Sequence, residues 1–382
     1  MKILFILPTY PDIGGIQTVS VILANELMRR GHSIHFLSHN KSDKEPALRH
    51  TDATLWLMPD RGGKYYTSRN NRFAVELAAK QNFDVIIYQD SYAPNEKIAV
   101  NAAKTNGIKL IVAEHSSPLF VINKRDLDPW NTTKGFLRRI LHPLLIKKEV
   151  NRKLFLFNNC SHYVVLAESF RDEFSKITGI DRNDKKILAI NNPIELFNPP
   201  TYSSSKENIC IFVGRLVKEK QVHKLLKIWQ SLRLSLIDWE FLIIGDGPEK
   251  QHLECLANKL NLSNVVFLGN QDPKPYYEQS KFILLCSKME GWGTILVEAM
   301  QFGCIPVSLD SYSSLKYIID DNKNGLIIGK DNDVNEWTSR ITKLASNPEK
   351  MQEVSYEATV KSRCFDVKKI ADRWEKLILQ SE

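Results

Sequence analysis

The chain has 382 residues, 43% hydrophobic and 25% charged, with 52 Lys and Arg against 44 Asp and Glu for a formal net charge of +8. That length excludes a single small module and provides for two domains with two substantial cores. No stretch approaches the roughly 18 apolar residues of a membrane span.

The opening "MKILFILPTYPD" has a short apolar run without a small-residue cleavage site, so the expectation is a chain that stays in the cytoplasm. Six cysteines (Cys160, Cys210, Cys255, Cys286, Cys304 and Cys364) are scattered with no Cys-x-x-Cys and read as buried, reduced thiols.

Along the first half, β-branched apolar runs at 2–8, 33–38, 84–90, 109–116, 162–168 and 187–193 alternate with helical patterns. This is the signature of a parallel sheet covered on both faces. After the first strand, Gly14-Gly15 precedes a helix carrying Val19, Ile22, Leu23 and Leu27, where backbone N–H groups can approach an anion. His115 and Ser116 end the fourth strand. Asp126 and Asp128 form a D-x-D with no preceding apolar strand and read as a surface loop rather than a metal pair.

Residues 134–153, "KGFLRRILHPLLIKKEVNRK", mix seven Lys and Arg with seven large apolar residues in an amphipathic segment broken at Pro143. Such a segment suits an anionic membrane surface; the competing reading is a helix pair with one core face and one solvated basic face. Nucleic acid is not expected, because no zinc-ligand spacing, recognition helix or aromatic-basic signature is present.

A Pro- and Ser-rich linker at 198–208 separates the first set of strands from a second, at 208–215, 240–247, 265–270, 282–287, 304–310 and 325–329. The domains are therefore 1–197 and 198–364, with 365–382 a C-terminal helix around Trp374, Leu377 and Ile378 that packs back on the first domain. Two doubly wound domains facing each other place a cleft beyond the carboxyl ends of their strands.

The residues at those ends carry the chemistry. "FVGRLVKEK" puts Gly214, Arg215 and Lys220 between a strand and a helix, two cations able to clamp a diphosphate. "MEGWGTILVEAM" at 289–300 holds Glu290 in a glycine-containing loop and Glu298 on the following helix, which Thr294 can cap and Gly303 terminate. Thr294, Glu298 and Gln301 make a polar stripe on it.

Glu290 and Glu298 in their E-x7-E spacing, Arg215 and Lys220, Gly14-Gly15 and "GDGP" at 245–248 resemble, over essentially the whole chain, the retaining GT-B glycosyltransferases of glycosyltransferase family 4. "EHSSP" at 114–118 is similar to the bacterial subgroup that builds lipid-linked polysaccharides and oligosaccharides. The resemblance implies a nucleotide-sugar donor, UDP-linked by family frequency with GDP as the alternative, a glycan acceptor carried on lipid, and no metal or other cofactor; together with the basic segment 134–153 it implies peripheral attachment to the inner face of the plasma membrane. It assigns the diphosphate to Arg215 and Lys220 beside Gly214, and the ribose to Glu298. The donor sugar and phosphate go to Glu290 with Gly291, Trp292, Gly293 and Thr294, and the base to the backbone at Gly269 and Asn270. His115 faces the donor sugar, and Gly14 and Gly15 the phosphate and acceptor side. Trp292 stands where the family commonly has Phe or another apolar residue. Two other readings stay open: a sugar-nucleotide epimerase of the same architecture, and a nucleotide-sugar-binding protein without turnover.

Overall fold

The computed structural model describes every residue except 13, 42–50, 63–64, 91–94, 125–131, 198–205, 332 and 381–382, and the side chain of Lys134. The D-x-D at Asp126 and Asp128 and most of the expected linker lie outside the described residues. The chain divides into two compact units, 1–195 with 367–382, and 196–366.

The first unit is built on a seven-stranded sheet whose strands are β1 (Lys2–Thr9), β2 (Ser33–Asn40), β3 (Thr54–Leu57), β4 (Val85–Asp90), β5 (Lys109–Glu114), β6 (His162–Val165) and β7 (Ile187–Ala189). Their order is β3-β2-β1-β4-β5-β6-β7, and each neighbouring pair is parallel. The order reverses between β1 and β4, which opens a crevice at their carboxyl ends. Ile3, Leu4, Phe5, Ile6 and Leu7 are all fully buried, as a strand covered on both faces requires. β3, which the sequence pattern does not predict, is a four-residue edge strand whose Leu55, Trp56 and Leu57 are only half-buried.

The second unit repeats the design with β8 (Glu207–Val213), β9 (Glu240–Ile244), β10 (Val265–Gly269), β11 (Ser280–Leu285), β12 (Ile305–Leu309) and β13 (Leu326–Ile328), ordered β10-β9-β8-β11-β12-β13 and again parallel throughout. Its reversal lies between β8 and β11.

The chain returns to the first unit for its last helix, Val367–Leu379. Ile370, Trp374, Leu377 and Ile378 enter the core that holds Val21, Leu23 and Leu27 of the helix Gly15–Arg29. Arg30 ties the rim, with Nη1 2.7 Å from Asp372 and 2.9 Å from Glu375.

Three sequence expectations are corrected. Pro143 does not break its segment: one helix runs from Thr133 to Asn159 with Pro143 inside it. Pro143 is exposed, so water can satisfy the carbonyl that the missing N–H leaves free. Next, only part of the basic face is solvated. Lys153 is fully buried on Glu114, and Arg152 is held by Asp90 and Glu149. Finally, four cysteines are buried, but Cys255 and Cys364 are exposed. Among the described residues no helix is long and apolar enough to cross a membrane.

Candidate active site

In the second unit the expected residues gather at the β8/β11 reversal. β8 ends at Val213, and the chain passes through Gly214 and Arg215 into a 3-10 turn, Lys218–Lys220, before the helix Val222–Leu232. β11 ends at Leu285 and leads through 286–293 into the helix Thr294–Met300. The Lys288 amide donates to the Glu219 carbonyl at 2.8 Å, stitching the two loops together. Lys220 Nζ then donates to Glu290 Oε1 in an ion pair, both side chains about four-fifths shielded or more. Arg215 is exposed, with no side-chain partner among the described residues.

Three strand ends of this unit are joined backbone to backbone. Gly214 N donates to Ile244 O at 2.9 Å, Gly245 N to Gly269 O at 2.7 Å and Leu216 N to Asp246 O at 2.9 Å. The fit demands glycine at 245, where φ is +141° and an added Cβ would stand 1.9 Å from the Gly214 carbonyl oxygen. The "GDGP" motif is thus a packing device that brings the loops after β8, β9 and β10 together. Asn270 follows Gly269 and is exposed.

Gly293, at φ +82°, caps the helix in place of the expected Thr294, which is its first residue, and no side chain bonds the cap. A Cβ on Gly293 would meet Tyr312 Oη at 2.8 Å. The loop after β12 buttresses this turn, since Ser314 Oγ donates to Gly291 O at 3.0 Å and Ser311 Oγ to Ser287 O at 2.5 Å. Ser311, Tyr312 and Ser314 escaped the sequence reading; the signal available was a polar "SYSS" directly after a buried strand.

Glu298 is half-buried, with the Tyr277 hydroxyl 3.5 Å from Oε2. Gln301 lies beyond the helix and is buried, accepting from Phe197 N at 3.2 Å, so the expected polar stripe is not a solvated face. Trp292 is buried edge-on against Phe365, ring centroids 5.4 Å apart, which leaves its backbone rather than its indole available to a ligand.

In the first unit, Gly14 caps the helix Gly15–Arg29 in extended conformation, and Thr18 N returns to Gly14 O at 3.0 Å. His115 follows β5. Its Nε2 pairs with Gln89 Oε1 of the neighbouring β4, and Nδ1 is buried without a hydrogen-bond partner of ordinary geometry. Burial pushes its pKa down to about 4, against the opposing pull of Asp90 and Asn192. The imidazole is therefore neutral at pH 7. As placed, one ring nitrogen is taken and the other covered, so contact with a ligand requires the ring to turn. Among the described residues no group of three or more His, Cys, Asp or Glu is arranged to hold a metal ion.

Beneath this site runs a charged layer. Arg152 donates to both oxygens of Asp90, at 2.6 and 2.9 Å, and to Glu149 at 2.6 and 3.0 Å. Lys153 pairs with Glu114, whose other oxygen accepts from the Tyr163 hydroxyl at 2.9 Å. Burial raises the Glu114 pKa and the Lys153 charge opposes it.

Residues 13–196 match the family model Glycosyltransferase Family 4, and residues 195–361 match Glycosyl transferases group 1. The chain is 29% identical over 392 residues to GalNAc-alpha-(1->4)-GalNAc-alpha-(1->3)-diNAcBac-PP-undecaprenol alpha-1,4-N-acetyl-D-galactosaminyltransferase of Campylobacter jejuni subsp. jejuni, covering 100% of this chain and 99% of that one. Among solved structures, Anabaena HepE in complex with UDP and glucose matches with a TM-score of 0.75 at 17% identity, and TarM with 0.78 at 14%, each covering 99% of both chains. The chain belongs to the glycosyltransferases of the GT-B fold, its first unit of the Glycosyltransferase Family 4 type and its second of group 1.

Proposed function

We propose that the protein is a retaining glycosyltransferase that moves a hexose or N-acetylhexosamine from a UDP-linked donor to a glycan acceptor carried on a lipid diphosphate, in the assembly of a bacterial surface glycan. The observation that carries this reading is the Lys220–Glu290 ion pair at the β8/β11 reversal, with Arg215 on the same loop as Lys220 and the two loops joined by the Lys288–Glu219 backbone hydrogen bond. The Campylobacter jejuni relative acts on an undecaprenol-linked glycan, and the HepE structure holds UDP, which supports the choice of acceptor and donor.

The chemistry follows from charge. As the sugar–phosphate bond loosens, negative charge grows on the departing diphosphate, and Arg215 and Lys220 stabilise it. Glu290, paired with Lys220, turns to the donor sugar when the diphosphate takes the cation. Glu298 binds the ribose hydroxyls, while the backbone at Gly269 and Asn270 borders the base. His115, released from Gln89, contacts the donor sugar, and Gly14 and Gly15 approach the phosphate and acceptor. The leaving phosphate oxygen takes the acceptor's proton on the same face, so no carboxylate nucleophile is used and configuration is retained. Arg215 and Lys220 supply the charge stabilisation that a metal would otherwise supply.

The helix Thr133–Asn159 provides the membrane contact. Phe136, Leu137, Ile140, Leu141, Leu144 and Leu145 are exposed, and Lys147 and Lys148 stand exposed beside them. Apolar insertion and attraction to anionic headgroups act together there, and the protein works as a peripheral enzyme at the inner face of the membrane.

A donor screen by thermal shift tests the reading. A bound donor at 100 times its Kd raises stability by about 2.7 kcal/mol. A UDP-sugar should shift the melting temperature and, with a lipid diphosphate glycan, release UDP. Interconversion of the sugar nucleotide without acceptor would indicate an epimerase, and binding with no turnover a non-catalytic protein.

A further inference from the structure

The buried charges beneath β4 and β5 do more than fill space. Asp90 and Glu114 are the last residues of their strands and pair across the sheet, Asp90 with Glu114 and Gln89 with Ala113. Each is bound by a consecutive residue of the helix Thr133–Asn159, Asp90 by Arg152 and Glu114 by Lys153. Three carboxylates, with Glu149, thus face two cations, and both pairs sit next to Gln89 and His115. Lys153 is 0% exposed.

Burying such pairs contributes little net stability, because desolvation offsets the Coulombic gain and an apolar contact of equal volume is often as stable. What they add is direction. A bidentate guanidinium–carboxylate pair is satisfied in one orientation only, whereas a greasy contact lets a helix slide or roll. This helix is long. From Arg152 to Leu144 it runs about 12 Å, and to Phe136 about 24 Å, at ~1.5 Å per residue. A tilt of about 10° at the tether would move the far end by about 4 Å. The exposed apolar face occupies that far end, and the tether holds the near end to the strand termini that carry the first unit's site residues.

We propose that Arg152 and Asp90, supported by the Lys153–Glu114 pair, are positioning residues that fix the orientation of the membrane-contacting helix relative to the carboxyl ends of β4 and β5, so that an acceptor held in a bilayer is presented to the site in register. The proposal rests on the membrane-docking, lipid-acceptor reading given above. It assigns these four side chains no contact with substrate.

The test compares one glycan acceptor on two carriers: a polyprenyl diphosphate glycan in vesicles of anionic phospholipid, and the same glycan diphosphate on a short, water-soluble chain. Arg152→Lys keeps a charge but loses the bidentate fork, and Asp90→Asn keeps the shape; either serves if the other fails to fold, with folding checked by circular dichroism. The expected result is a drop of about tenfold in kcat/KM for the vesicle-borne acceptor, the scale of one charged hydrogen-bond contact, with less than about twofold change for the soluble acceptor and for vesicle binding. An equal loss on both acceptors would mean that the layer merely stabilises the fold, and no loss on either that it aligns nothing; both overturn the inference. Wild-type protein that transfers to the soluble acceptor yet ignores vesicles would overturn the docking reading itself, and this inference with it.

Discussion

Lys220 and Glu290 stand 70 residues apart in the chain and form an ion pair between the loop after β8 and the loop after β11. Each belongs to a motif legible separately in the sequence, and the ion pair joins the two motifs. Lys220 is charge-paired and oriented by Glu290, while Arg215 is exposed. A diphosphate entering the site therefore competes with Glu290 for Lys220.

That competition separates the two glutamates. Glu290→Gln should leave binding of free UDP unchanged or tighter while lowering transfer, because Lys220 is released and the sugar contact is lost. Glu298→Gln should weaken UDP binding. Calorimetric titration of UDP into both variants checks this, and equal losses of affinity would refute the division of labour.

The clamp has its own signature. Arg215→Ala and Lys220→Ala should each cost on the order of 2–4 kcal/mol of transition-state stabilisation, read as kcat/KM, as losing a charged donor at a developing anion does. Near-normal turnover in both variants would remove the clamp from the mechanism.

How much of this was legible beforehand depended on the range of the interactions. Strands such as β1, β4 and β11 are buried on both faces and announce themselves as continuous apolar runs, so twelve of the thirteen strands among the described residues are legible. β3 escaped because an edge strand of four half-buried residues carries little pattern. The glycine motifs at 245–247 and 291–293 were visible as glycine, but not their reason, since the atoms that exclude a Cβ belong to Gly214 and Tyr312 on other loops. Lys153 read as one more surface cation because its partner, Glu114, lies 39 residues earlier on a strand whose register the sequence does not state. Pro143 reads as a break in the sequence, yet it sits inside a continuous helix because its cost falls where the unpaired carbonyl meets water.

His115 predicts a pH dependence of stability. Its folded pKa of about 4 lies below the ordinary 6.5, so between those values the unfolded chain binds more protons than the folded one. Stability should then fall as pH drops from 6.5 towards 4, with His115 contributing at most about 3 kcal/mol. His115→Asn should flatten that slope in denaturant titrations at pH 7, 6 and 5. An unchanged slope would place the ring in a more polar setting.

Vesicle co-sedimentation checks the docking face. Binding should need anionic lipid, weaken with salt, and fall when Arg138, Arg139, Lys147 and Lys148 become Glu, with roughly 1 kcal/mol at stake per basic residue near the surface. Leu141→Asp with Leu144→Asp should reduce it at any salt concentration. Binding unaffected by both sets of changes would assign the helix to another role.

The most direct measurement is the anomeric configuration of the product. Purified protein, a UDP-linked α-sugar and a lipid diphosphate glycan are incubated with EDTA, and the new linkage is read from its proton coupling constant by NMR. The account predicts UDP release and an α-linked product, undiminished by EDTA. A β-linked product, or transfer abolished by EDTA and restored by magnesium, would contradict it.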